Sequence, residues 1–211
     1  FGHDEGCDYR AENVFADENG VGFDMVHGSI RMPVKLKVLG SHNVNNALVA
    51  LAVAQYFGVE LKMAVAALGQ YTGVAMRQQI TKKDGVIYID DSYNASPDSM
   101  KAGLSVLSQM PAEHRIALLA DMLELGENTR EYHRQVGEYA GQSNVDELLL
   151  YGELAAYIGY GAEQYVKNIR HFDTLDDIKE YLKNTLKPNM AVLFKGSRGM
   201  KLNEVVDALI S

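Results

Sequence analysis

Residues 89–100 of this chain are Ile-Asp-Asp-Ser-Tyr-Asn-Ala-Ser-Pro-Asp-Ser-Met. The apolar run of residues 86–89 predicts a buried strand, and it ends abruptly in acidic and amide side chains. Pro97 suits the first turn of a helix and Ser96 can cap it, so residues 91–96 are predicted to connect a strand to a helix. Because open α/β sheets bind ligands outside the carboxyl ends of their strands, this loop is predicted to line a ligand crevice. The alternative is an ordinary helix cap and turn.

The composition limits the classes of function. With 211 residues and 47% hydrophobic content, the chain can bury one core or two small ones. A net charge of -8 and a pI near 5.2 argue against nonspecific binding to nucleic acid or to an anionic membrane. The single cysteine, Cys7, cannot form an internal disulfide, and no His/Cys cluster has metal-ligand spacing. We therefore expect no metal site and a reduced, cytoplasmic location.

The chain has no sequence pattern typical of a membrane or secreted protein. Its apolar runs fall short of the roughly 18 residues that a membrane span needs, and its start is not a basic-then-apolar signal sequence. It begins at Phe1 rather than Met, and we expect it to be a piece of a longer polypeptide.

Two regions of different character follow one another, and we place the domains at residues 1–72 and 73–211. In the first region, residues 8–39 alternate short β-prone runs with turns at Asn19-Gly20 and His27-Gly28, which predicts a small antiparallel meander. Apolar spacing then predicts helices over residues 43–57, closing at Gly58, and over residues 61–68. This is a small α+β region with few strands.

The second region alternates apolar strands with amphipathic helices, which predicts a Rossmann-like α/β domain with a mostly parallel sheet and helices on both faces. The predicted strands are residues 86–89, 116–119, 147–151, 168–172 and 191–194. The predicted helices start near Pro97, Asn128, Glu153, Thr174 and Gly199, with Asp173 or Thr174 as the cap of the fourth.

Right-handed crossovers would place the carboxyl ends of all these strands at one edge of the sheet. Besides the loop of residues 91–96, that edge would hold Lys195-Gly196-Ser197-Arg198-Gly199. Two cations beside a predicted helix N-terminus indicate a site for a carboxylate or phosphate, although such a turn can also be a solvated surface. No Walker pattern and no recognisable catalytic triad are present, so this edge is predicted to bind rather than to supply a nucleophile.

A third motif, Gly-Ser-His-Asn-Val-Asn-Asn-Ala at residues 40–47, lies at the start of the first predicted helix. Asn43 and Asn46 are one helical turn apart, and their amides could donate to and accept from a purine edge. The alternative is N-capping by Ser41, His42 or Asn43.

Taken in order, these motifs resemble the Mur ligase family. The resemblance rests on residues 40–47, Met76-Arg77, residues 90–100, Ala-Asp-Met-Leu-Glu-Leu-Gly-Glu at 120–127 with His133, and Phe-Lys-Gly-Ser-Arg at 194–198. It implies a three-domain, ATP-dependent peptide ligase, of which residues 1–72 would end the central ATPase domain and residues 73–211 would form the C-terminal ligase domain. The P-loop, the Mg²⁺-binding residues and the UDP-sugar domain would lie outside this chain, so the chain alone is expected to be inactive and to bind no cofactor tightly.

The resemblance also implies substrates and site residues. Within the family, the motifs are most similar to those of members that join D-alanyl-D-alanine to a UDP-N-acetylmuramoyl-tripeptide through an acyl phosphate, in peptidoglycan synthesis. The implied nucleotide-binding residues are His42, Asn43 and Asn46 at the adenine, Arg77 at the phosphates and Asp91 at the ribose. The implied substrate-binding residues are Tyr93, Asn94, Lys195, Ser197 and Arg198. The parent enzyme is expected to be a monomer that binds neither nucleic acid nor membrane.

Two alternatives remain open at this stage. A phosphorylatable receiver module would also carry Asp90, Asp91, Asp121 and Lys195 after successive strands, but it leaves the first seventy or so residues unexplained. Another amide ligase of the same superfamily, such as a folate-glutamate or cyanophycin-type enzyme, is the nearer alternative, and the Asp-Ser-Tyr-Asn-Ala block speaks against it.

Overall fold

The structure, a computed structural model, describes residues 1–17 and 20–211. It divides into two compact units, Phe1–Gly73 and Val74–Ser211, which are described separately. Within the described residues, no helix combines the length and the apolar character that crossing a membrane requires.

The first unit is a three-stranded antiparallel sheet covered by two helices. Its elements are β1 Arg10–Asp17, β2 Gly20–His27, β3 Ile30–Leu36, α1 His42–Tyr56 and α2 Leu61–Leu68. The sheet order β1-β2-β3 confirms the predicted meander, and Gly28 takes a positive φ of 57° in the turn between β2 and β3. The other predicted turn, Asn19-Gly20, lies outside the described residues because it includes Asn19.

One face of this sheet packs on α1, as the spacing of its apolar residues predicts. Val44, Leu48 and Leu51 on the helix are fully buried against Phe23 and Met25 of β2. The helix stops near Gly58, whose φ of 82° is a conformation that glycine adopts without strain. The first unit therefore has a hydrophobic core of its own.

The second unit is a six-stranded sheet with helices on both faces. Its strands are β4 Gln79–Lys83, β5 Val86–Asp91, β6 His114–Ala120, β7 Glu147–Tyr151, β8 Asn168–Phe172 and β9 Met190–Lys195. Its helices are α3 Pro97–Ser108, α4 Thr129–Gly141, α5 Ala155–Ala162, α6 Leu175–Thr185 and α7 Asn203–Ile210. The strand order is β4-β5-β9-β6-β7-β8, and every pair is parallel except β4 with β5. The predicted α/β architecture is thus confirmed.

Strand β4 was not predicted. Its sequence, Gln-Ile-Thr-Lys-Lys, is mostly polar because it is a partly exposed edge strand. The sequence nevertheless contains a hairpin signal, the dipeptide Asp84-Gly85. In the structure Lys83 pairs with Val86 across this two-residue turn, and both turn residues have positive φ. Asp-Gly is a preferred sequence for that type of hairpin turn.

The predicted helix start near Gly199 is wrong. Arg198–Met200 forms only a single 3-10 turn, Lys201 takes a left-handed conformation with φ of 55°, and α7 begins at Asn203. A left-handed residue cannot continue a right-handed helix, so the segment breaks there. The Lys195–Gly199 segment consequently does not lead directly into an α-helix N-terminus.

The helices form two layers. On one face, α3 packs on β9 and β6, and α4 lies between α3 and α5; on the other, α6 packs beside β8 and α7 beside β5. The backbones of α4 and α5 approach closely at Gly137. A Cβ placed there would lie only 1.9 Å from the Ile158 carbonyl oxygen, so only glycine fits. The layers leave the carboxyl ends of β5, β9 and β6 at one edge, where the predicted loops meet.

Candidate functional site

The loop after β5 is fixed to the start of α3 as the sequence predicts. Ser96 caps the helix: its hydroxyl accepts from the Ser99 backbone N–H at 3.4 Å, and the Ser99 hydroxyl accepts from the Ser96 N–H at 2.9 Å. The Asn94 side chain accepts from the Ala95 N–H at 2.9 Å. The capped helix holds one end of the loop and leaves Tyr93 and Asn94 at the surface.

A buried ion pair anchors the other end of this loop. Asp91 and Lys195 are partners in the parallel register of β5 and β9, and Lys195 Nζ lies 2.7 Å from Asp91 Oδ2. Lys195 is 1% exposed and Asp91 is 7% exposed. Burial lowers the pKa of Lys195, and the Asp91 carboxylate opposes that effect by favouring the charged ammonium.

A preceding segment, residues 76–78, pairs with the same loop. The Gln78 N–H donates to Asp91 Oδ1 at 3.2 Å, and the Tyr93 N–H donates to the Met76 carbonyl at 3.0 Å. Met76 and Gln78 have positive φ values of 62° and 49°, which costs energy for residues other than glycine. Because Arg77 lies between Met76 and Gln78 in the chain, these contacts bring it to the loop of residues 91–96.

Two arginines meet at the ring of Tyr93. The Arg77 guanidinium carbon lies 4.3 Å from the ring centroid, and that of Arg198 lies 5.3 Å from it, both within cation–π range. Both arginines are exposed, and in the described part of the chain neither has a carboxylate within ion-pair distance. Two unneutralised guanidiniums beside one aromatic ring form a site suited to an anion.

Ser197 is bonded to the loop after β6. Its hydroxyl accepts from the Leu123 N–H at 2.9 Å, and its own N–H donates to the Asp121 carbonyl at 3.0 Å. The Asp121 carboxylate in turn accepts from the Ala155 N–H at 2.7 Å, at the start of α5. Ser197 and Asp121 therefore hold the loop after β6 in place.

His133, like Ser197 and Asp121, holds the loop after β6 in place. It is fully buried; its Nε2 accepts from the Met122 N–H at 2.9 Å, and its Nδ1 lies 2.6 Å from the Thr129 carbonyl oxygen. A carbonyl can only accept, so Nδ1 carries the hydrogen and the ring is neutral. His133 thus ties the loop after β6 to α4.

Asp90 faces the opposite side of β5 from Asp91, because side chains alternate along a strand. It lines a pocket of about 160 Å³ together with Tyr88 and with Gln79, Asn203 and Asp207 of the flanking elements. Its Oδ1 accepts from the backbone N–H and the hydroxyl of Ser92, at 3.1 and 2.5 Å. Burial raises the pKa of Asp90; the Ser92 hydrogen bonds oppose this and the negative charge of Asp207 adds to it.

The motif at the start of α1 lies in the first unit. Asn43 and Asn46 share a helix face as predicted, since the Asn46 amide donates to the Asn43 Oδ1 at 3.0 Å. The Asn43 amide donates to the Leu39 carbonyl at 2.7 Å, and the Ser41 side chain makes no capping bond. Of the implied nucleotide-binding residues, His42, Asn43 and Asn46 are therefore on this unit, whereas Arg77 and Asp91 are on the other.

The second unit thus brings together most of the implied site residues: Arg77, Asp91, Tyr93, Asn94, Lys195 and Arg198. The sequence analysis quoted Met76 only as part of the Met76-Arg77 motif and did not mention Gln78; the backbone contacts of these two residues join Arg77 to the loop. Across residues 1–17 and 20–211, no three His, Cys, Asp or Glu side chains are grouped as metal ligands would be.

The chain belongs to the Mur ligase family. Residues 76–198 match the model of the Mur ligase glutamate ligase domain, and residues 1–54 match that of the Mur ligase middle domain. Membership of this family sets aside the receiver alternative.

Among individual proteins, the chain is similar to the UDP-N-acetylmuramoyl-tripeptide–D-alanyl-D-alanine ligase of Bacillus subtilis, with 34% identity over 96% of this chain and 45% of the relative. Its fold is similar to that of MurF from Acinetobacter baumannii, with a TM-score of 0.88 and 28% identity over 98% of this chain and 45% of that one. MurF from Thermotoga maritima, solved in complex with ADP, gives a TM-score of 0.83 and 25% identity over 99% and 47%. The chain therefore spans about half the length of the curated relatives that it matches.

Proposed function

We propose that this chain is part of a longer ATP-dependent ligase that joins D-alanyl-D-alanine to a UDP-N-acetylmuramoyl-tripeptide during synthesis of the bacterial cell wall. Similarity to such a ligase along 96% of the chain supports this assignment. The structural observation that carries it is the pair of guanidiniums at Tyr93, an anion site in a chain whose net charge is -8. On its own, the chain is proposed to be inactive.

Anions dominate the proposed reaction. The terminal carboxylate of the tripeptide takes the γ-phosphoryl group of ATP, and ADP leaves. The amine of D-alanyl-D-alanine then attacks the resulting acyl phosphate and loses a proton, and the tetrahedral intermediate expels inorganic phosphate to leave the amide. Negative charge on phosphate and carboxylate oxygens is present at each step. Guanidiniums held in place before the reaction stabilise such charge without reorganisation, and exclusion of water protects the acyl phosphate from hydrolysis.

In the nucleotide half of this proposal, Arg77 contacts the phosphates and Asp91 contacts the ribose hydroxyls. Asp91 already accepts from Lys195 and from the Gln78 N–H, but each carboxylate oxygen can accept more than one hydrogen bond. His42, Asn43 and Asn46 are proposed to contact the adenine. Mg²⁺ would be held by parts of the parent enzyme outside this chain, where it would neutralise phosphate charge.

In the dipeptide half, Tyr93, Asn94 and Arg198 are proposed to line the pocket for D-alanyl-D-alanine, with Arg198 on its carboxylate. Lys195 and Ser197 belong to the same segment, but both are buried and bonded within the protein. The parent enzyme is proposed to act as a monomer in the cytoplasm on these small molecules, without binding nucleic acid or membrane.

The role of Arg77 is tested in the full-length ligase by Arg77→Ala. Loss of a charged phosphate contact is expected to lower kcat/KM for ATP by about 30-fold, equivalent to about 2 kcal/mol. Arg134→Ala is the matched control, because Arg134 is an exposed arginine on α4 that pairs with Glu131 and Glu138. It is expected to leave kcat/KM unchanged.

The measurement is release of inorganic phosphate that depends on both D-alanyl-D-alanine and the UDP-tripeptide. An Arg77→Ala enzyme as active as the Arg134→Ala enzyme would show that Arg77 is structural. A full-length enzyme that ligates glutamate to a folate, and not the dipeptide to the UDP-tripeptide, would instead favour another amide ligase of the superfamily.

A further inference from the structure

We infer that Lys195 is a positioning residue, whose ammonium holds the loop of residues 91–94 in its binding conformation and does not itself contact a substrate carboxylate. This inference deepens the proposed function and rests on it. It replaces the role that the family resemblance implies for Lys195, because the contacts of this side chain all point into the protein.

The ammonium group has no hydrogen left to donate to a ligand. Lys195 Nζ lies 2.7 Å from Asp91 Oδ2, 3.1 Å from the Asn94 carbonyl oxygen and 3.5 Å from the Asp91 carbonyl oxygen. An ammonium has three N–H donors, and these three acceptors all belong to the loop. With 1% of Lys195 exposed, the group is also beyond the reach of solvent.

The aliphatic part of the Lys195 side chain is also confined, like its ammonium group. The register of β5 and β9 sets Lys195 beside Asp91, and α3 covers the pair at Gly103. A Cβ on Gly103 would lie 3.0 Å from Lys195 Cδ and 3.3 Å from Asp91 Oδ2, so the helix backbone leaves no space beside the side chain. Swinging the ammonium towards the surface would break its three contacts, including the buried ion pair with Asp91, which is costly.

The loop that Lys195 holds carries the groups that face outward. Tyr93 lies between the two anchored residues, Asp91 and Asn94, and its ring is the one that Arg77 and Arg198 contact. Fixing both sides of Tyr93 therefore fixes the platform on which the two guanidiniums rest. Lys195 acts on the substrates only through this platform, whereas Arg198 is exposed and can reach a carboxylate directly.

This distinction predicts different selectivity for two variants of the full-length ligase. D-alanyl-D-alanine is compared with its C-terminal carboxamide, which lacks the carboxylate charge. Lys195→Met is expected to lower kcat/KM at least tenfold for both acceptors and to keep their ratio within about twofold. Arg198→Met, the comparison variant, is expected to reduce the preference for the carboxylate. A Lys195→Met enzyme that loses this preference, or one as active as the wild type, would overturn the inference.

Hydrogen exchange of the 211-residue chain tests the same point without ligase activity. In Lys195→Met, amides of residues 91–95 are expected to exchange at least tenfold faster, while those of β7 lose protection only as far as global stability falls and remain the more slowly exchanging set. Lys179→Met, on α6, is the control and should change neither. Should Lys195→Met not fold, Asp91→Asn/Lys195→Met removes both charges together and is expected to show the same local loss.

Unchanged protection of residues 91–95 would overturn the positioning role. An enzyme with no ligase activity, combined with the expected local loss of protection, would instead refute the proposed function and leave the role of Lys195 in place.

Discussion

Two buried carboxylates lie at opposite edges of the same sheet and are neutralised in different ways. Asp91 ends β5 at the carboxyl edge, where the fully buried ammonium of Lys195 lies 2.7 Å from it. Glu147 begins β7 at the amino edge, where it accepts from the Tyr181 hydroxyl at 2.5 Å and lies 3.5 Å from the Arg170 guanidinium. Arg170 is 60% exposed, so its charge is largely hydrated.

The difference shows that a buried charge does not by itself indicate a functional site. At the amino edge the charged groups satisfy one another: burial, together with the hydrogen bond to Glu147, raises the pKa of Tyr181, and Arg170 also stacks on the Tyr181 ring at 4.9 Å. At the carboxyl edge the buried pair holds a loop, and the guanidiniums of Arg77 and Arg198 beside that loop have no acidic partner within ion-pair distance in the described part of the chain. Cations left without an internal counter-ion distinguish the binding edge from the structural one.

The largest effect is expected from removing the cation at each edge. Lys195→Met breaks the buried ion pair with Asp91 by removing one partner, which should lower the free energy of unfolding by about 3–5 kcal/mol. Arg170→Met removes a mostly exposed partner and leaves Glu147 its hydrogen bond from Tyr181, so its cost should be below about 1 kcal/mol. Urea denaturation of the 211-residue chain measures both.

Asp91→Asn/Lys195→Met is the control for this comparison. Removing both charges avoids keeping a buried carboxylate after its ammonium partner is gone, so the double variant should be more stable than Lys195→Met alone. Equal losses in Lys195→Met and Arg170→Met would remove the distinction between the two edges.

A smaller effect is expected from Gly103→Ala in α3. Alanine normally stabilises a helix interior by about 1 kcal/mol relative to glycine. At Gly103, however, the new methyl group would lie 3.0 Å from Lys195 Cδ, and that side chain is held at its end by the loop. We therefore expect a net loss of about 1–2 kcal/mol.

Gly159→Ala in α5 is the matched control, because its methyl group would lie 3.0 Å from Leu150 Cδ1, a terminal methyl group that no hydrogen bond or ion pair holds in place. It should be neutral or stabilising in thermal unfolding. Stabilisation by Gly103→Ala as well would mean that Lys195 is free to move, and the contrast in rigidity between the two positions would be lost.

Local patterns in the sequence were sufficient to predict most of the second unit. Strands β7 and β8 have the predicted bounds, and Thr174 caps α6 by accepting from the Asp177 N–H at 3.1 Å. These features depend on residues that are neighbours in the chain. The predicted helix at Gly199 was wrong because nothing in the local sequence showed that Lys201 adopts a left-handed conformation.

The site was only partly predictable for a related reason. The prediction that the parallel strands end at one edge of the sheet was enough to place the site residues at that edge. The partner of Asp91 depends on strand order, because β9 enters the sheet between β5 and β6 and brings Lys195 beside it. Apolar periodicity does not give strand order, so an ion pair between residues so distant in sequence could not be derived from the residues alone.

Asp90, adjacent to Asp91 but on the other face of β5, tests whether a buried carboxylate without a cation is costly in this sheet. Asp90→Asn removes the charge and keeps an oxygen that can accept from the Ser92 N–H and hydroxyl. Burial raises the pKa of Asp90, because the folded environment disfavours the charged form of this carboxyl group. The variant, which has no carboxylate at this position, should therefore be more stable than the wild type at pH 7.

The sign of the pH dependence follows from the same shift. Because its pKa is raised on folding, Asp90 binds its proton in the folded state at a higher pH than in the unfolded chain. As the pH falls through the raised pKa towards 3.8, Asp90 becomes protonated in the folded wild type and no longer destabilises it. The stability advantage of Asp90→Asn should therefore disappear. Denaturation of both proteins across this range measures the difference. A constant advantage at every pH would mean that the gain comes from packing, and that a lone buried carboxylate is tolerated here without the ammonium that Asp91 has.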